Sequence, residues 1–134
     1  MTDSDRRVGL YASIGLAADL AAGVRSDQSA LPTPCPDYDV ATLVSHLLGA
    51  ARRAVALGRG EQPGGDEFPD VALGDAKEEL CRAAAAAASA WAGDAPLARV
   101  VTMPWRARCT GAVLVDIYLA EIATHSFDLA AATG

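Results

Sequence analysis

Residues 112–132 read AVLVDIYLAEIATHSFDLAAA. The run is expected to form a helix that starts around residues 110–112 and continues to residue 132, with Gly134 as its C-cap. Counted at helical spacing, Tyr118, Glu121, His125 and Asp128 share one side of that helix. Its other positions are mostly Val, Leu, Ile and Ala, which should face a core. Polar groups set among them cost free energy unless something satisfies them, and a bound cation would.

Working outward, the chain has 134 residues, the size of one domain, and 51% of them are apolar. Aromatic residues make up only 5%, and alanine fills much of the apolar share. Small, straight side chains favour closely packed helices over sheets, so an all-α domain is expected. A first helix is read over residues 4–25, with Val8, Tyr11, Gly15, Ala18 and Ala22 on its apolar stripe and Leu10, Ile14, Ala17 and Ala21 widening it. Residues 31–39 hold three prolines and cannot be helical. Asp39 then caps a second helix, with Tyr38 as a hydrophobic staple on Leu43, which runs through His46 and ends near Leu57 and Gly58.

Residues 58–74 are rich in Gly, Pro and acidic side chains and read as a surface connection. Asp75, with Glu78 three residues on, looks like the capped start of a third helix. It passes through the alanine run at 83–88, read as a tightly packed face, and reaches Trp91 before Gly93 and Pro96 stop it. Residues 97–103 read as an extended or short β-like segment. The expected architecture is a single domain over residues 1–134, a four-helix bundle with two long connections that permit a crossover topology.

The formal net charge of −6 argues against a phosphate backbone as partner, and Arg52-Arg53 or Arg106 with Arg108 are too small as basic clusters to override it. No segment reads as both long and apolar enough to cross a bilayer, and the first seven residues lack a secretory apolar region. A cytoplasmic protein without nucleic-acid or membrane partners is expected. Cys35, Cys81 and Cys109 are odd in number and widely spaced, so reduced thiols are expected, with Cys81 and Cys109 as inert small hydrophobes.

The chain contains two histidines, His46 and His125, and both fall inside expected helices. Glu121 and His125, one turn apart, can grip one ion from one helix, and His46 from a facing helix can supply a third ligand. A lone Glu/His pair at this spacing is common on solvated helix faces and is a weak signal, and a lone buried histidine is more often hydrogen-bonded than metal-bound. Spacing alone suggests the site without establishing it. Trp91 and Trp105 read as packing groups, and Arg53 and Arg106 read as solvated rather than as holders of an anionic substrate.

Two separated motifs in order carry a resemblance. Residues 33–40, TPCPDYDV, lead into Leu43, Val44, Ser45, His46 and Leu47, and far downstream residues 118–130 read YLAEIATHSFDLA. Together they resemble the mycothiol-dependent maleylpyruvate isomerase-like family of the DinB superfamily. Tyr38 and Phe127 stand where that family commonly has Trp. The resemblance implies an up-down-down-up four-helix bundle, with His46, Glu121 and His125 in the three metal-ligand positions and a fourth position open, as in catalytic zinc sites. Zinc suits such donors, as do nickel, manganese and iron.

Tyr118 and Asp128 are then the candidate catalytic residues. Tyr118 would act as a proton donor or orienting hydroxyl. Asp128 would anchor the free N–H of a ligating imidazole, or else be an ordinary surface charge near a helix end. The activity implied is a metal-dependent thiol transferase or isomerase, with mycothiol as cosubstrate and an electrophile as its partner substrate. The alternatives are a metal- or small-molecule-binding bundle without turnover, which the ending at Gly134 favours, and a structural bundle, as a homodimer for example, whose His/Glu/His set is a relic.

Overall fold

Asp39 sets the start of the second helix. Its carboxylate accepts the Thr42 N–H at 2.8 Å, and that bond holds the acid below the ordinary aspartate range. Thr110 does the same for the last helix, accepting the Val113 N–H at 3.3 Å. The computed structural model describes residues 3–134, with side chains from Arg6 onward. Along it run α1 (Asp3–Ala22), a 3₁₀ turn (Ser26–Gln28), α2 (Val40–Gly58), α3 (Leu73–Ala90), a single turn α4 (Ala95–Ala98), β1 (Val100–Thr102), β2 (Arg108–Thr110) and α5 (Gly111–Thr133). The fold is all-α, with one small hairpin.

Several boundaries differ from expectation for local reasons. α1 stops at Ala22, short of Arg25, and its core face is Leu10, Ile14, Ala17, Ala18 and Ala21, while Val8 and Ala22 are exposed. Apolar residues surround this helix, so spacing alone does not single out the packed side. α3 begins at Leu73 behind Ala72, and Asp75 lies within the first turn, where its charge meets the helix dipole without capping. Of the alanine run, Ala83 and Ala87 join the core while Ala85 and Ala88 are exposed. The segment expected to be extended is split. Its first residues complete the α4 turn, and β1 then pairs antiparallel with β2, Val101 opposite Cys109. Cys81 is exposed on α3 rather than packed inside.

Named contacts give the helix directions. Arg6 pairs with Asp116 at 3.2 Å and Gln28 donates to the Thr133 carbonyl, so α1 and α5 run parallel. The Arg7 guanidinium binds the Trp91 and Gly93 carbonyls at the far end of α3, which makes α1 and α3 antiparallel and places a cation where a helix C-terminus favours one. Arg52 meets Glu79, and six residues past it Gly58 meets Trp91, so α2 and α3 are parallel. The course is up-down-down-up, with α1 and α2 each packed on α3 and α5.

α2 is 19 residues long and apolar enough to span a membrane, contrary to the sequence reading. Two thirds of it (67%) is buried within the bundle, and that burial accounts for its composition. At its C-terminal end the Trp91 indole is 1% exposed and donates to the Ala54 carbonyl at 2.9 Å. A Cβ at Gly58 would come within 2.7 Å of that indole nitrogen, so glycine is what allows the ring to lie flush on the helix.

Candidate metal centre

Toward the other end of α2 the proline-rich approach folds back on itself. Pro32 bridges to Asp39, and the Thr33 hydroxyl lies 2.8 Å from the Tyr38 carbonyl and 2.9 Å from that of Cys35. This turn carries Tyr38 into the bundle. Read as a staple on Leu43, Tyr38 lays its ring 5.2 Å from the His46 imidazole, 5.5 Å from Phe68 and 6.1 Å from His125, centre to centre. Burial and then the nearby Glu67 carboxylate push its phenol above the usual tyrosine range.

Antiparallel packing of α2 on α5 brings His46 opposite Glu121 and His125. His46 is 3% exposed. Its Nε2 lies 2.8 Å from Glu121 Oε1, and His125 Nε2 lies 3.5 Å from the same oxygen. The imidazoles meet edge to face at 83°, with centres 4.8 Å apart. One donor atom from each of the three residues falls within 4.8 Å of the other two. The His46 hydrogen bond, more than the His125 charge, holds the Glu121 carboxyl below the ordinary glutamate range against the opposing effect of burial. It is therefore ionised, as a ligand must be.

The donor set fits a divalent cation. Zinc bonds of 2.0–2.2 Å place tetrahedral ligand atoms about 3.3–3.5 Å apart. The His125–Glu121 distance already lies there, and the His46–Glu121 distance needs to open by roughly 0.5 Å, a side-chain adjustment. The remaining ring nitrogens point away from this centre. Asp128 Oδ2 is 3.2 Å from His125 Nδ1, a buried nitrogen that makes no hydrogen bond. Asp128 thus lies against the imidazole.

Tyr118, one turn before Glu121, is buried, and desolvation raises its phenol. It shares a cleft of 180 Å³ with Arg53, Trp105, Ile117 and Glu121. Two expectations change here. Trp105 is 62% exposed at the hairpin turn and walls the cleft instead of packing in the core. Arg53 is partly buried, with an Nε that has no hydrogen-bond partner, rather than solvated. Glu67 and Phe68, from the connection between α2 and α3, also reach the site and were missed in the sequence. Phe68 lies 5.6 Å from the His46 ring, and Glu67 Oε1 is 3.8 Å from His46 Nδ1.

Fold and seam together describe an up-down-down-up helical bundle with a His/Glu/His cluster between antiparallel helices. The family model for the mycothiol maleylpyruvate isomerase N-terminal domain matches residues 12–130, and the chain belongs to that family. Two uncharacterized proteins of Mycobacterium tuberculosis, from strains CDC 1551 / Oshkosh and ATCC 25618 / H37Rv, are each 30% identical to it over 118 residues. The matches cover 87% of this chain and 61% of each relative, so the chain spans less than two thirds of their length. No solved structure gives a significant match.

Proposed function

We propose that this chain is a metal-dependent protein of low-molecular-weight thiol chemistry. It would be a transferase joining a mycothiol-like thiol to an electrophile, or an isomerase using that thiol as cosubstrate. The supporting observation is the convergence of two imidazole Nε2 atoms on one Glu121 oxygen in a member of this family. In this reading His46, Glu121 and His125 hold one divalent ion, with zinc first among zinc, nickel, manganese and iron. An ion held there favours the deprotonated form of a bound thiol, the nucleophilic form. In this reading residues 1–134 form a single domain that works in the cytosol on small molecules, without nucleic-acid or membrane partners.

The other residues take roles that follow from their surroundings. Asp128 holds the His125 ring from its Nδ1 side. Tyr118 keeps its proton at neutral pH, as an ordinary tyrosine does, and burial only reinforces this, so its hydroxyl donates to a substrate in the cleft and does not act as a base. Arg53 supplies a cationic wall to the same cleft.

A second reading, a metal-binding module without turnover, is favoured by the size of that cleft. Its 180 Å³ is small beside the roughly 300–1,000 Å³ of most ligand pockets. Zinc-loaded, untagged protein incubated with mycothiol and a panel of electrophiles separates the two. Thiol consumption that disappears in Glu121→Gln, with the helical circular dichroism unchanged, supports the enzyme. Metal binding without consumption supports the module, and absence of metal binding contradicts both.

A further inference from the structure

We propose that Glu67 is the positioning residue for His46. Its carboxylate accepts the Nδ1–H and so aims Nε2 at Glu121, and Gly49 is the feature of α2 that lets it reach. The proposal rests on the metal-centre reading above.

The connection between α2 and α3 is held hard against α2 one turn after His46. A Cβ at Gly49 would stand 2.3 Å from the Glu67 carbonyl oxygen and 3.0 Å from that of Asp66, so any side chain there would push the backbone of the connection away. The Ser45 hydroxyl donates to the Pro69 carbonyl at 2.7 Å, and the Phe68 N–H donates to the Asp66 carboxylate at 2.9 Å. Between these fixed points Glu67 Oε1 lies 3.8 Å from His46 Nδ1, a buried atom that makes no hydrogen bond.

A cation on Nε2 requires the ring proton on Nδ1, and a buried N–H needs an acceptor. Glu67 faces that nitrogen with a half-exposed side chain, 50% accessible, free to close the remaining gap to hydrogen-bonding distance. Each imidazole then has one carboxylate behind it. Asp128 serves His125 from the same helix, and Glu67 serves His46 from a loop. A carboxylate so placed fixes the tautomer and ring orientation of a ligating histidine.

Zinc affinity by chelator competition, with the Tm of the metal-free protein alongside, tests this. Glu67→Ala is expected to weaken zinc binding about 10–100-fold at unchanged Tm, with Glu67→Gln, which retains an uncharged acceptor, falling between it and wild type. Gly49→Ala should give a similar loss, and the double variant Gly49→Ala/Glu67→Ala should be no worse than the more affected single variant, because both changes remove one contact. Glu67→Ala binding zinc as tightly as wild type overturns the proposal, as do losses that simply add. Wild type failing to bind zinc while the fold is intact overturns the metal-centre reading instead, which keeps the two failures apart.

Discussion

Trp91 and His46 are both polar aromatic rings enclosed among leucines and alanines at opposite ends of α2. They are buried to nearly the same degree, 1% and 3% exposed. The indole N–H donates to the Ala54 carbonyl, and its ring fills a gap left by Gly58. The imidazole has one nitrogen on Glu121 and another without a hydrogen bond. The first ring completes the packing of the bundle and leaves nothing unsatisfied. The second keeps polar capacity in reserve where packing alone would favour a leucine, and such residual capacity is where a chain retains chemistry.

The contrast can be broken by mutation, beginning where the effect is largest. Trp91→Ala should remove about 3–5 kcal/mol of stability, through lost burial and the cavity left behind. Urea denaturation reads it, and an effect below about 1 kcal/mol would deny the Trp91 end its packing role. Asp39→Ala should cost about 1 kcal/mol by removing the cap that starts the functional half of α2. Because the folded-state pKa of Asp39 is depressed, its contribution is present above the ordinary aspartate range, about 3.9, and is lost as pH falls through the lower folded value. The stability difference between wild type and Asp39→Ala should therefore shrink in acid and hold steady from pH 5 to 8. His46→Leu should change the stability of the metal-free protein least, within about 1 kcal/mol, because an apolar group of similar size removes an unsatisfied nitrogen. Zinc binding should be lost in the same variant. A large destabilisation with metal binding retained would reverse the contrast between the two rings.

How much of this was legible in the sequence follows from the range of the forces involved. The starts of α2 and α5 are set by side chains three residues from the bonds they make, Asp39 to Thr42 and Thr110 to Val113; the first was read as a cap, while the second was placed only within residues 110–112. The packed face of α1 could not, because apolar groups surround that helix and only its neighbours choose a side. β2 was invisible for a similar reason. Three residues acquire strand geometry from pairing with β1, and nothing local demands it. Within the seam, the spacing of Glu121 and His125 put two side chains on one face, and helix period carried that information. Glu67 and Phe68 lie in a connection without period, where acidic and glycine residues read as solvent-facing. The one local trace of them was Gly49, on the His46 side of α2, whose missing side chain is the room the connection occupies.

Crystals grown with zinc and measured at its absorption edge test the account most directly. A single anomalous peak about 2.0–2.2 Å from His46 Nε2, His125 Nε2 and a Glu121 oxygen is the predicted result. Well-ordered side chains at this seam with no peak between them, or zinc bound only elsewhere on the surface, would contradict it.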